Sequence, residues 1–409
     1  MIDDNLENRI RKMKKEVIER IEIKTKEEFI QTSLNGLQKI MTIEEAASYV
    51  KRNPVPNDVT NLVNGVFWYF NNNRSKSKDL LNKIDDVDIA TSDLVFFSHG
   101  SSLFVWHDLL GAKQVRNREY NIISLEFLDR ELYEQVFHQG ILRSRDNKFI
   151  INNASNIFDG PGMFYRWNDE LVGIYTDKLV NILTNKVIAK PDIVFKDYNK
   201  FGTGDTFPSG NTIYAFTKKG IYDLISQKKL VESAKGGILS GIFYNNDVYY
   251  SELIDGFKGS SDNQIFPLLS PGTKGYRPKL YCKPSYRSYI IKNGNGHESG
   301  LRTKPTKFFV HKNILYDNGG LDDWKSTAYP NVVETINGIP HNLAVINSVT
   351  NGRNFLYTDH NYDVVRYDVK NQKREIIVSS DDLKQNDGYT FAQIFLKAVP
   401  LSEFRGSNE

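Results

Sequence analysis

The residues best suited to chemistry lie in Lys274–Lys292, KGYRPKLYCKPSYRSYIIK, where Lys274, Arg277, Lys279, Lys283, Arg287 and Lys292 alternate with Tyr276, Tyr281, Tyr286 and Tyr289. Cationic side chains hold phosphates through charge-assisted hydrogen bonds, and tyrosine rings stack on sugar or base faces. Such a surface suits an anionic glycopolymer; on the outer strands of a sheet the same residues would be solvated scaffold. Single-stranded nucleic acid would meet the same groups. The chain as a whole argues against that ligand, because Lys+Arg 53 and Asp+Glu 50 leave a net charge of only +3, too small for a nucleic-acid footprint. A second candidate is Asp322-Asp323-Trp324-Lys325 with Tyr329, in an Asn- and Gly-rich loop. An aromatic there serves as a sugar platform or anchors its loop. The glycan and phosphate candidates are thus Tyr276, Arg277, Lys279, Lys283, Tyr286, Arg287, Tyr289, Asp323, Trp324 and Tyr329.

Other chemistries lack their residues. The histidines (His99, His107, His138, His297, His311, His341 and His360) form no His-x-His or HExxH motif, so no metal is expected. The single cysteine, Cys282, allows no intrachain disulfide and no Cys-based zinc site, and no G-x-S-x-G nucleophile elbow occurs. Carboxylate pairs at Asp85-Asp86, Asp322-Asp323 and Asp381-Asp382 are explained by turns and caps, since a glycosidase needs two carboxylates across a cleft. No sialidase-type Asp box appears. No catalytic residue, cofactor or metal is therefore assigned, and a propeller-fold glycosidase or wall-polymer hydrolase is the alternative to a binding protein.

Two kinds of element must position these loops. Over Ile2–Glu22, apolar Ile2, Leu6, Ile10, Met13, Val17 and Ile21 recur in three- and four-residue steps among Lys, Arg and Glu. This is one helix face or a short coiled-coil seam, for oligomerisation or attachment. Thr42-Ile43-Glu44-Glu45 predicts a capping box, Pro54 and Pro56 break the helix it opens, and Asn57 or Asp58 caps the next. Residues 1–88 read as a helical region of about four helices. From Asp93 the period changes to strands, and residues 89–400 read as β, followed by a tail, 401–409. Strand–turn–strand units recur at Leu103–Val115, Met163–Ile188, Thr212–Val231, Gly241–Leu253, Lys307–Tyr316 and Asn354–Val378. Glu126–Phe137 reads as a short helix or one long strand, with the strand favoured.

Starts roughly 30 to 60 residues apart suit four-stranded blades with loop insertions, and near-continuous apolar runs such as IYAF suit strands covered on both faces. The expected fold is a mainly-β propeller of about five or six blades behind an α-helical start; a sandwich or barrel is the alternative. In Thr212–Val231 the turn residues Lys218 and Lys219 read as scaffold, and Trp167 as packing between blades. The largest insertion, Phe257–Gly300, carries the Lys/Arg/Tyr stretch. The charged N-terminus is no secretory signal, and no apolar run reaches the roughly 18 residues of a transmembrane helix, so a protein made in solution, without membrane insertion, is expected.

A helical start at Ile2–Glu22 followed by aromatic-rich units such as TIYAFTKKGIYDLIS and NFLYTDHNYDVVRYDV resembles the receptor-binding tail proteins of phages infecting Gram-positive bacteria, staphylococci especially. The resemblance implies a homotrimer in the virion tail, made in the host cytoplasm. Its N-terminal helices would attach to other tail proteins and its propellers would bind wall teichoic acid. The helical His-x-His motifs of some such stems have no counterpart here, since no histidine precedes His99. A shorter, different attachment region is implied. A third reading is a structural virion propeller that contacts only protein.

Overall fold

The computed structural model describes residues 4–152, 163–175, 178–190, 205–217, 219–232, 238–244, 247–253, 289–293, 298–302, 308–311, 314–317, 347–350, 355–358, 363–368, 373–379 and 396–405. It is mainly β, with several small sheets and a helical N-terminal region. Its contacts group into two compact units, the first made of Met1–Phe97, Ser102–Asn117 and Val399–Glu409, the second of Ser98–Ser101 and Arg118–Ala398.

In the first unit, α1 (Asp4–Leu37) is one continuous 34-residue helix. The short strand β1 (Met41–Thr42) leads into α2 (Ile43–Arg52) through the expected capping box. Glu45 N donates to Thr42 Oγ1 (3.1 Å) and Thr42 N to Glu45 Oε2 (2.8 Å), satisfying two otherwise orphaned donors. The face of α2 that is buried carries Ile43, Ala46, Ala47 and Val50. Helix α3 (Asn57–Phe70) differs from expectation: Pro56 occupies the cap position and no side chain caps it. Asp58 is committed elsewhere, its carboxylate accepting from the backbone N–H groups of Asp85 (3.2 Å) and Asp86 (3.0 Å). Helices α4 (Arg74–Leu81) and α5 (Val87–Ala90) follow, capped by Asn73 and Asp86. Leu401–Arg405, read from sequence as part of a tail, is helix α6. Its Leu401 and Phe404 are buried, and Phe404 packs edge-on against Tyr69 (5.1 Å) and in a tilted arrangement against Phe96 (5.7 Å).

Strands β2 (Asp93–His99), β3 (Ser102–His107) and β4 (Gly111–Asn117) form a meander, to which β1 adds in parallel beside β4. The C-terminal strand β27 (Leu396–Pro400) completes the order β1–β4–β3–β2–β27.

The second unit repeats one design. The sheets are β5–β8 (Ile122–Leu128, Glu131–Val136, Gly140–Arg143, Lys148–Asn152), β9–β12 (Met163–Trp167, Glu170–Ile174, Leu179–Asn181, Lys186–Ala189), β13–β16 (Asp205–Ser209, Thr212–Thr217, Gly220–Asp223, Lys228–Glu232), β17–β20 (Ile238–Tyr244, Asp247–Leu253, Tyr289–Asn293, Glu298–Arg302), the pair β21–β22 (Phe308–His311, Ile314–Asp317) and β23–β26 (Asn347–Thr350, Phe355–Thr358, Val364–Asp368, Lys373–Val378). Each is an antiparallel meander in chain order. First strands of successive sheets pack on one another, β5 on β9, β9 on β13, β13 on β17, β17 on β21 and β21 on β23.

The turns are equally repetitive. Asp129-Arg130 and Asn168-Asp169 both have positive φ at two consecutive residues, the signature of the two-residue turn that matches strand twist. The first of these corrects the single strand expected over Glu126–Phe137, which is a hairpin, β5–β6. Arg at the second turn position, where Gly is usual, hid it. Between third and fourth strands, Asn147, Asn185 and Gln227 each take φ near +58° (59°, 57° and 58°) and each precedes an exposed lysine, Lys148, Lys186 or Lys228. Asn181 Oδ1 and Asp223 Oδ1 hold two of these turns, accepting from Leu183 N and Thr184 N, and from Ile225 N and Ser226 N. The fourth strand then bulges by one residue, at Ile150, Ile188 and Leu230, with the same shift at Ile377 in β26 and Val115 in β4. A bulge bends an edge strand and spoils it as a template for pairing with another chain.

Trp167 ends β9, packs against the cluster of Val172, Ile213 and Leu224, and donates its indole N–H to Gly210 O (3.1 Å) in the next sheet. It thus joins two sheets, as its sequence position implied. Trp167→Phe keeps the ring but loses the bond, and should lower stability by about 1 kcal/mol, read as a shift in urea midpoint.

Candidate functional site

Of the glycan and phosphate candidates, Tyr276, Arg277, Lys279, Lys283, Tyr286, Arg287, Asp323, Trp324 and Tyr329 lie outside the described residues. Tyr289 begins β19, where its backbone pairs with Leu253 and Arg302. The site the described residues build is helix α1. Ile2 lies outside them; Leu6 and Ile10 fall on the helix's first turns, and their side chains are outside what is described. Met13, Val17 and Ile21 are 64 %, 54 % and 59 % exposed, and Ile18 (56 %) and Phe29 (60 %) are exposed as well. At 100° per residue, Met13, Val17 and Ile21 fall on one face, while Ile18 and Phe29 lie about 100° and 120° from its centre, on the adjoining flank. Among the described side chains of α1, burial is confined to the C-terminal end, at Ser33 and Leu37. A lone helix gains nothing by holding such residues in water, since each buried aliphatic side chain is worth about 1.5–3 kcal/mol. None of the described helices is long and apolar enough to cross a membrane.

The base of α1 is fixed by close contact. Gln38 Nε2 donates to Asp108 O (3.1 Å), Lys113 Nζ donates to Lys39 O (2.9 Å), and a Cβ on Gly111 would stand 2.2 Å from Gln38 O. Gly111 has φ +62° and occupies, in the β3–β4 turn, the place held by Asn147, Asn185 and Gln227 elsewhere. There the following residue is Ala112 instead of an exposed lysine, which leaves room for the helix.

Several buried polar groups elsewhere are committed to structure. Ser92 Oγ lies 2.5 Å from His107 Nε2, a pairing with the outward form of a nucleophile and its base. Its polarity is wrong for that task. Leu109 N donates to His107 Nδ1 (3.1 Å), so Nε2 carries the ring proton and donates to Ser92, whose own hydroxyl hydrogen goes to Ile89 O (2.7 Å). Nothing in sequence pairs these two residues, which lie on either side of β2. In the second unit, fully buried Glu134 takes a bidentate bond from Arg118 (2.8 Å twice), Arg145 Nε donates to both oxygens of Glu131 (2.8 Å each), and Glu126 pairs with Lys397 of β27. Sequence reading missed all three carboxylates, since only isolation within strands marks them. Among the described residues no group of three His, Cys, Asp or Glu could hold a metal ion.

Asp93 opens β2, and burial, then the charge of Glu403 on α6, pushes its carboxyl up to about 6. A raised folded-state value means that the proton favours the native form. Stability is gained as pH falls through about 6 and is fully present below the unfolded value of 3.8. Between pH 7 and 5 the wild-type unfolding free energy should therefore rise relative to that of Asp93→Asn by on the order of 1 kcal/mol, read from urea unfolding at each pH.

No family model and no curated protein matches the chain. Among solved structures, the computationally designed Ika8 protein superimposes with a TM-score of 0.38 at 10 % identity, covering 71 % of this chain and 83 % of its own. Apo AztD from Citrobacter koseri gives 0.36 at 11 % identity (75 % and 98 %), and the dihydro-heme d1 dehydrogenase NirN 0.39 at 13 % identity (76 % and 67 %). At this level of superposition the likenesses carry no conclusion about fold or function, and the chain is placed by its own geometry, a mainly-β series of small sheets behind a helical start.

Proposed function

We propose that this chain is a non-enzymatic receptor-binding protein of a phage tail, a β-propeller carried on an oligomerising helix, which attaches the virion to an anionic cell-wall glycopolymer such as wall teichoic acid. The observation that carries the reading is α1, a 34-residue helix with Met13, Val17, Ile18, Ile21 and Phe29 all more than half exposed. Copies of one helix bury such residues against each other, and a homotrimer of binding heads gains strength on a repeating polymer by avidity. The propeller is supported by the four-stranded meanders, the packing of successive first strands and the place of β27 beside β2 in the sheet that comes first in the chain. Taking every sheet among the described residues as a blade gives seven, where sequence spacing suggested about five or six.

Met13→Asp with Val17→Asp and Ile21→Asp should turn a trimer into a monomer by light scattering while leaving the circular dichroism of the sheets unchanged. The same variant should adsorb to teichoic-acid-bearing walls about a hundredfold more weakly, the lower end of an avidity gain. Equal adsorption of wild type to walls with and without teichoic acid would sink the receptor assignment, and a monomeric wild type the oligomer.

A further inference from the structure

The residues that follow α1 meet the first sheet around one buried amine. Lys113 is fully buried on β4, with Met41 of β1 paired beside it on one side and Val105 of β3 on the other. Its Nζ donates to Lys39 O (2.9 Å) and to Ala112 O (3.2 Å), and among the described residues no carboxylate pairs with it. A neutral amine has two N–H bonds, which these two carbonyls use in full. An ammonium has three, together with a charge that the site does not compensate.

We propose that Lys113 makes the α1 joint pH-responsive: it sits uncharged when the joint is closed, and its protonation toward neutral and acid pH loosens α1 and β1 from the sheet. The groups on the elements around it do not replace the missing counter-charge. From the end of α1 comes Lys39, another cation. From α2 come Glu44, Glu45, Lys51 and Arg52, with Glu45 held by Thr42 N. From the β3–β4 turn come Asp108 and His107, whose ring is held between Ser92 and Leu109 N. Burial alone drives the amine down to about 7 from 10.5. A depressed lysine value is a penalty on the charged form, so the closed joint gains stability as pH rises through that window and loses it as pH falls.

The test is amide hydrogen exchange of the full chain, followed over 33–42 and corrected for intrinsic rates. Opening should become about tenfold rarer per pH unit between pH 8 and 9 and level off below about 7. Lys113→Met should abolish that slope while keeping the segment protected. An unchanged slope in Lys113→Met, or a flat wild type, overturns the proposal. Should the variant misfold, the ε-carbon resonance of Lys113 in labelled wild type decides: a midpoint about three pH units below the other lysines supports the proposal, and an ordinary one overturns it.

Discussion

Arg118→Ala should destabilise the second unit by about 3–5 kcal/mol, the cost of leaving a buried charge without its partner. Glu134 is fully buried in β6, and both of its oxygens are held by Arg118, at 2.8 Å each. Arg118 also donates to Asn147 Oδ1 (2.7 Å), the residue whose left-handed backbone makes the β7–β8 turn. Removing the guanidinium thus strands a carboxylate and frees a turn. Urea unfolding followed by the loss of sheet signal would show the change as a lower midpoint. The double variant Arg118→Ala with Glu134→Leu separates the causes. If the stranded charge dominates, the double variant recovers most of the loss, because an apolar side chain costs nothing to bury there. If the turn dominates, it recovers little, and Asn147→Ala alone reproduces part of the deficit.

What was legible in the sequence follows the range of the interactions concerned. The capping box at Thr42 and Glu45 was readable because all its partners lie within three residues. The strand units were readable because their apolar runs are continuous; β14, β15 and β16 fall where Thr212–Val231 placed them. Less visible was the β5–β8 sheet, whose strands carry Glu126, Glu131 and Glu134 where an apolar pattern was sought. Those carboxylates depend on Arg118, Arg145 and Lys397, the last 271 residues from its partner. A pair so distant leaves no mark in local periodicity. The repeat was under-read for a related reason. Its most regular part is a backbone event, a left-handed residue closing the turn and then a bulge, and Asn, Gln and Gly all serve in it.

Gly111 should prove the least replaceable of those turn residues. Gly111→Ala places a Cβ 2.2 Å from Gln38 O and 2.8 Å from Gln38 Cα, backbone atoms with no flexible end to swing aside, and it does so at φ +62°. The left-handed conformation costs an L residue about 1–2 kcal/mol and the overpacking about 1–3 more, so a loss on the order of 3 kcal/mol is expected. It should be concentrated at the base of α1, where cleavage after Lys39 by trypsin would report it. Two comparisons apportion the loss. Gly210→Ala, at φ +53° with nothing within 4 Å, should cost only the conformational share, about 1–2 kcal/mol. Gly111→Asn supplies the residue that the equivalent turns of β7–β8 and β11–β12 use at Asn147 and Asn185. Were conformation the whole requirement, asparagine would substitute freely. Because the carbonyl of Gln38 fills the space a side chain would need, Gly111→Asn should fail nearly as badly as alanine. The same turn that elsewhere presents a lysine to solvent is here pared down to glycine and alanine so that a helix can be seated on it.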